Sequence, residues 1–225
     1  MSERGPERDP SGGAAEAGEE DRGRSWTLGA AEAPAASLAE PRRRDRAMED
    51  AWIRAFLERA PWGVLATVEG GRPFLNANLF AYEEARHAVW THTARVGRTR
   101  TNMDAAEGKE GAPVAFSVSV MGRLLPAAEA LEFSVEYAGV VILGRGVVVD
   151  DPEEKEHGLQ LILDRYAPHL RPGRDYRPIT AGELKRTSVY RIDVEAWSGK
   201  QKAVAPDFPG AFELPAVAVP FEPQG

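Results

Sequence analysis

The sequence predicts a mainly β protein, an antiparallel barrel of about six strands with helices on its outside. Three observations predict it. Segments that alternate apolar and polar residues outnumber segments with helical periodicity. The connections between them are short, and one contains a Gly70-Gly71 pair of the kind that closes a two-residue hairpin. The glycine-rich loops of doubly wound parallel sheets, GxGxxG after a strand or GxxxxGK[ST], do not occur.

The elements follow in the order α β β β α β β α β. Residues 47–60 place Trp52, Ile53, Phe56, Leu57 and Ala60 at helical spacing, with Glu49, Asp50, Arg54, Glu58 and Arg59 elsewhere, and Pro61 ends this amphipathic helix. Residues 62–68 read as a strand, the chain turns at Gly70-Gly71, and residues 73–82 form the return strand. A third strand, His87 to Thr93, follows a Glu83-Glu84-Ala85-Arg86 turn, and residues 97–107 form a short helix. Between 113 and 120, Val114, Phe116, Val118 and Val120 face one way and Ala115, Ser117 and Ser119 the other. Residues 133–149 form a long strand whose Val140-Val141-Ile142-Leu143 run suits burial on both faces, with Gly139, Gly144 and Gly146 as places for a break or bulge. Asp151-Pro152 starts a helix with an apolar stripe of Leu159, Ile162, Leu163 and Tyr166. From Thr187 to Ala196 the pattern alternates again, Tyr190, Ile192, Val194 and Ala196 inward and Arg191, Asp193 and Glu195 outward.

A chain of 225 residues has room for one domain of ordinary size with tails. Residues 1–46 carry Trp26, Leu28 and Leu38 as their large apolar side chains after Met1, too little to offset the entropy of ordering, so a disordered N-terminal tail is expected. Residues 47–204 are the expected domain. Residues 205–225, with Pro206, Pro209, Pro215, Pro220 and Pro223, read as a Pro-rich C-terminal tail. Met48, which opens the patterned region, is an alternative start of translation.

The net charge of −7 argues against a general nucleic-acid or anionic-membrane binder, although Arg42, Arg43, Arg44 and Arg46 form a local basic run. With no cysteine there is no disulfide, no thiolate nucleophile and no Fe–S cluster, and with four histidines and no HExxH a dedicated metal site is not expected. No apolar run reaches the roughly 18 residues of a membrane span and no secretory signal is visible, so the expected location is the cytoplasm. Nor is there a GxSxG nucleophile elbow. A small domain without a reactive side chain of its own borrows chemistry from a cofactor.

The most distinctive segment is Trp90-Thr-His-Thr-Ala-Arg-Val-Gly-Arg-Thr-Arg-Thr-Asn102. A strand ending in hydroxyl residues runs through Gly97 into a helix start bearing Arg95, Arg98 and Arg100. Hydroxyls, guanidinium forks and unpaired backbone N–H groups together form an anion site, and a solvated Arg-rich helix start is the alternative reading. Asn76 and Asn78 share one face of the return strand, where asparagine is a poor strand former, which points to ligand or backbone hydrogen bonding. His92 lies on the strand face of Trp90 and Ala88. Trp197 and Lys200, after the last strand, offer a stacking surface and a cation.

Several blocks in this order resemble the pyridoxamine 5′-phosphate oxidase-like family, and within it the flavin-nucleotide-binding, nitroimidazole-resistance-type branch. They are Trp62-Gly-Val-Leu-Ala-Thr-Val68, the Gly-Arg-Pro-Phe hairpin, the segment around Thr-His-Thr-Ala-Arg-Val-Gly-Arg, and Ser134-Val-Glu-Tyr137 leading to Val141-Ile-Leu-Gly-Arg-Gly146. The resemblance spans residues 48–204 and implies an FMN-binding split β-barrel, a homodimer with FMN at the subunit interface. It implies ring contacts at Asn78 and Leu79, with the ring aligned along residues 76–79 and so past Asn76, a His92-Thr93 pair beside the flavin, and a phosphate site at Gly97, Arg98, Thr99 and Arg100 to which Thr93 also contributes. Thr99 stands where the family usually has lysine, with Arg100 supplying the charge. It implies that Trp197 and Lys200 reach a neighbour's cofactor. The expected function is an FMN-dependent oxidoreductase acting on a small nitroaromatic or quinone-like molecule, with His92 as a proton donor. The alternatives are a non-enzymatic flavin-binding or sensing protein, or the same barrel using deazaflavin or haem, the latter with His87 or His92 as axial ligand.

Overall fold

The computed structural model describes residues 38–105 and 110–214. Most of the expected N-terminal tail and residues 215–225 lie outside the described residues. Among the described residues four α-helices and eight strands are placed: β1 (Ala47–Met48), α1 (Asp50–Arg59), β2 (Gly63–Glu69), β3 (Arg72–Asn78), β4 (Phe80–Glu83), β5 (Ala88–Ala94), α2 (Arg98–Asp104), β6 (Ala112–Leu125), β7 (Ser134–Val149), α3 (Pro152–Tyr166), α4 (Ala181–Arg186) and β8 (Thr187–Lys202). All pairings between strands are antiparallel, and the order is β3-β2-β6-β7-β8-β5-β4, with β1 added against β8.

The connectivity explains the barrel. β3 and β4 are opposite ends of the sheet order, yet Leu79 alone separates them in sequence. A sheet whose two ends are joined by one residue has to curl round until they meet. They meet without a ladder between them, so the barrel is split there. The expected single return strand over 73–82 is therefore two strands. Leu79 is held at the break by its carbonyl, which accepts from Thr91 Oγ1 at 3.0 Å. Gly70 and Gly71 close the β2–β3 hairpin with φ of 55° and 74°, the left-handed pair a two-residue turn needs.

Inward side chains from β2 (Leu65), β4 (Phe80), β6 (Phe116, Val118), β7 (Val140, Ile142) and β8 (Tyr190, Ile192) form one core, joined by Ile53, Phe56 and Leu57 of α1. A smaller cluster of Trp90, Val149 and Val189 lies under α3, against Leu159 and Leu161. Asp151 caps α3 by accepting from the Glu154 amide at 2.8 Å, and Pro152 sits at its first turn. Gly158 of α3 rides directly on Trp90: a Cβ there would lie 2.4 Å from the indole. Alanine in place of glycine normally stabilises a helix by roughly 0.5–1 kcal/mol. Here the sign reverses, and Gly158→Ala is expected to cost about 1–3 kcal/mol in a urea melt through overpacking.

β8 runs on past Ala196 to Lys202 because a bulge opposite Leu143 and Gly144 leaves Glu195 without a ladder partner. Beyond the bulge the inward phase shifts by one. Trp197 packs on the core, and Gly199 faces Trp52 and Ile53. At the other end of β7, Glu136 binds Arg123 through both carboxylate oxygens, at 2.8 and 2.9 Å, and also accepts from the Val204 amide at 2.9 Å. Arg123 then donates to the carbonyls of Val204, Ala205 and Pro206, and Phe212 exchanges backbone bonds with Leu124. The described part of the C-terminal segment is thus strapped to β6. The Arg123 guanidinium, seconded by the Val204 amide, holds the Glu136 carboxyl at about 2 against an ordinary 4.5. Because the folded value is depressed, the strap is fully held above about pH 4.5 and is lost as pH falls toward 2. The protection factor of the Val204 amide should fall over that interval in the parent protein, whereas in Glu136→Gln it should be low throughout.

Candidate functional site

The two ends of the sheet and the start of α2 converge around Leu79. β3 is a terminal strand, so its outer backbone edge carries no ladder. On it, Asn78 Nδ2 donates to the Asn76 carbonyl at 2.8 Å, and Asn76 Nδ2 lies 3.3 Å from Asn78 Oδ1 and 3.4 Å from Thr99 Oγ1. Leu79 is 45% exposed beside them. Thr99 is buried, so its hydroxyl is a fixed wall of this notch and not a mobile surface group.

α2 is positioned from both ends. Gly97, its N-cap, takes φ 139°, a backbone region closed to other residues, and a Cβ there would meet open space. The glycine thus answers to the turn and not to crowding. The Gly97 carbonyl accepts from the Thr101 amide at 3.0 Å. At the other end the buried Asn102 meets Thr67 Oγ1 at 2.8 Å. With its amide turned so that the oxygen accepts from that hydroxyl, the nitrogen reaches the Arg98 carbonyl and Glu69 Oε2, each at 3.1 Å. Asn102, Thr67 and Glu69 were not singled out by the sequence reading. The available signal was Thr67, a hydroxyl at an inward position of β2 between buried Leu65 and the turn, which requires a buried partner.

Arg98 stands at the rim, its side chain 59% exposed and 3.6 Å from Glu69 Oε2, a loose contact that leaves the guanidinium able to swing to another anion. The notch therefore offers two carboxamides, a hydroxyl, a guanidinium and a free strand edge. Such a set donates hydrogen bonds to phosphate oxygens and offers the strand edge to a flat heterocycle.

The remaining expected residues are distributed elsewhere. Thr93 shares the inward face of β5, its hydroxyl 2.9 Å from Tyr190 OH. Arg100 turns away from the notch, held by both oxygens of Asp104 at 2.9 and 2.7 Å and reaching Ser188 Oγ at 3.4 Å. That bidentate contact to Asp104 raises its pKa. His92 lies on the opposite face of β5 from Thr93, turned toward α3 with Leu159 and Ile162. Its Nδ1 is buried without a hydrogen-bond partner among the described residues, and burial lowers its pKa, so the imidazole is neutral at pH 7. His87, at φ 49°, bonds Tyr82 OH at 2.8 Å and stacks edge-on against Trp197 at 4.5 Å. Trp197 donates to Asp50 at 2.9 Å on the α1 side, and Lys200 lies on the outward face of β8 beside Ser198. Among the described residues no hydrogen bond or ion pair links either of them to Asn76 or Thr99. Among the described residues no group of three or more acidic or histidine side chains is placed to hold a metal ion.

Comparison with known proteins agrees with this architecture. The flavocytochrome Anf3 from Azotobacter vinelandii superposes with a TM-score of 0.63 at 22% identity, over 86% of this chain and 91% of that one. The FAD and haem binding protein from Mycobacterium smegmatis gives 0.61 at 21% identity, over 78% and 92%. A protein proposed to act in 5-nitroimidazole antibiotic resistance, from Bacteroides thetaiotaomicron, gives 0.55 at 18% identity, over 69% and 86%. At these identities the likeness establishes the fold. A search of curated proteins returned no match. The family model for pyridoxamine 5′-phosphate oxidase matches residues 49–201, from the first turn of α1 to the end of β8, and on that match the chain belongs to the pyridoxamine 5′-phosphate oxidase family.

Proposed function

We propose that the protein is an FMN-dependent oxidoreductase that reduces a small nitroaromatic or quinone-like molecule. The observation that carries this reading is the convergence of Asn76, Asn78 and Thr99 with the rim residue Arg98 beside the open edge of β3. The donor set fits the phosphate of FMN: Arg98 supplies a guanidinium fork, Thr99 a fixed hydroxyl, Asn76 a carboxamide, and Gly97 sets the turn that brings them together. The β3 edge from Asn76 to Leu79 supplies backbone donors and acceptors for the ring, and exposed Leu79 an apolar surface. When bound, the flavin supplies the redox chemistry. The protein's part is to bind, orient and shield. His92 faces α3, so in this reading it is not the proton donor at the ring, and Arg100 supports α2 through Asp104.

A homodimer is part of the proposal. The outward face of β2, β3, β6 and β7 exposes Trp62 at 50%, Leu75 at 65% and Val141 at 42%, and Ser117 and Ser119 line both shallow cavities on it. Apolar side chains in this arrangement call for a cover, and a second copy supplies one. Lys200 lines that face and would point at the partner, whereas Trp197 is committed to its own subunit by Asp50. Light scattering at micromolar concentration should give twice the chain mass, and Leu75→Glu should halve it.

The activity itself is read by anaerobic spectroscopy. NAD(P)H should bleach the bound flavin, and a nitroimidazole or benzoquinone should restore its colour. Bleaching by neither NADH nor NADPH would move the protein to the binding or sensing reading. The same spectra separate a Soret band of haem, or the blue-shifted band of deazaflavin, from FMN.

A further inference from the structure

A second cavity system lies outside the notch, between α3, α4 and the edge where β5 meets β8. One part, of about 280 Å³, is lined by Arg95, Arg100, Lys155 and Lys185 against one carboxylate, Asp150, with Leu184 and Thr187 between them. The other, of about 350 Å³, is lined by His92, Leu159, Ile162, Leu163, Tyr176 and Ile179. The two adjoin. Both are bordered by Thr187. Both also lie along a single stripe of α3, since Pro152 and Lys155 border the first, and Leu159, Ile162 and Leu163, at helical spacing further on, border the second.

Three of the four cations at the first end lack a carboxylate partner among the described residues. Most arginines of the described chain meet a carboxylate, among them Arg43, Arg123, Arg174, Arg177 and Arg191. Arg95, Lys155 and Lys185 have no ion-pair partner among the described residues. Arg95 and Lys155 donate to the carbonyls of Lys185 and Leu184, which end α4 and can take only part of their donor capacity. Lys155 is held below its ordinary pKa, first by burial and further by Arg100 and Arg95, with Asp150 acting the other way. Like charges gathered in a protein of net charge −7 point to an anion. The second end is apolar, and its remaining charges, Arg177 and Glu183, neutralise each other at 2.8 Å. His92 presents a neutral imidazole there with a buried, unpartnered Nδ1.

We infer that this groove binds a small amphipathic anion, an apolar ring body seated between α3 and residues 176–179 with a carboxylate, sulfonate or phosphate held by Arg95, Lys155 and Lys185. The cavity sizes suit a body of one or two fused rings. This site is separate from the flavin notch and does not rest on it: Arg98, Asn76 and Thr99 do not line it.

The probe is 8-anilinonaphthalene-1-sulfonate, with N-phenyl-1-naphthylamine as the same body without the anion. Both are titrated by fluorescence into the folded, purified full chain with its flavin content recorded. The sulfonate should bind saturably at one site per chain and more tightly than the neutral amine. Lys185→Glu, at an exposed position, should weaken the sulfonate about tenfold, equivalent to ~1.4 kcal/mol, and leave the amine unchanged. Leu163→Glu, at a 37% exposed position, should weaken both. Arg98→Ala should alter neither, though it lowers flavin retention. Equal affinity of the two probes, insensitivity of the sulfonate to Lys185→Glu, or displacement of either probe by FMN would each overturn the assignment, and the first two would leave the flavin reading untouched.

Discussion

Arg165→Ala is expected to destabilise the protein by about 3–4 kcal/mol, among the largest effects of any single substitution. The guanidinium lies between α3, α1 and β4. Nη2 donates to the Leu57 carbonyl at 2.6 Å and to the Ala60 carbonyl, Nη1 donates to the Phe80 carbonyl, and the plane stacks 3.9 Å from the centre of the Phe80 ring. Two of these carbonyls belong to the end of α1, where the helix leaves its last acceptors without internal donors. Removing the side chain strands acceptors in a partly buried place, at roughly 1–3 kcal/mol for each group so left. The total falls short of the sum because the buried guanidinium is itself held in an unfavourable place. Burial lowers its pKa, and no carboxylate pairs with it among the described residues. Arg165→Lys should recover part of the loss, since an ammonium reaches one or two of the carbonyls but does not stack. Urea denaturation of the three proteins checks this, and a loss below about 1 kcal/mol for alanine would show that water replaces the guanidinium without penalty.

Asn76→Asp is expected to weaken FMN binding by about a hundredfold, ~2.7 kcal/mol, with little change in stability. The substitution keeps the shape of the side chain and exchanges a donor for an anion 3.4 Å from the Thr99 hydroxyl. A phosphate brought there meets repulsion where it had a hydrogen bond. Arg98→Ala removes attraction without adding repulsion and should weaken FMN about tenfold. The ordering of the two separates a phosphate site at this notch from general electrostatic attraction. If any loss of one positive charge had the same effect, Arg42→Ala, at an exposed position outside the site, would match Arg98→Ala. Fluorescence titration of FMN against the variants, each checked for its unfolding midpoint, measures all of this.

The barrel was legible because its signals are local. Alternation in 113–120 and 187–194, the Gly70-Gly71 turn and the Asp151-Pro152 helix start each work within a few residues. What escaped depends on partners far away in sequence. The break at Leu79 follows from which strands end the sheet, and nothing near Leu79 records that. The continuation of β8 to Lys202 was hidden by its bulge, since a one-residue slip erases the alternation being counted. α4 carries a local signal of its own, a capping box in which Glu183 Oε2 accepts from the Thr180 amide at 2.8 Å. At the site, the pairing of Asn76 with Asn78 was visible as two poor strand formers on one face. Arg100 was not separable from Arg98 by composition, although Asp104 four residues on is the partner a helix would give it. Alternation also placed His92 and Thr93 on opposite faces of β5, which is why the structure divides a pair that reads as a unit in the chain.

The flavin phosphate site proposed above is the notch at Asn76, Asn78, Thr99 and Arg98. The measurement that tests it most directly is the visible spectrum of the purified protein, followed by titration of the flavin-free form with FMN. Saturable binding of one FMN per chain is expected, lost or greatly weakened in Asn76→Asp. A folded protein that takes up no FMN, or that binds it equally well with Asn76→Asp and Arg98→Ala combined, would contradict it.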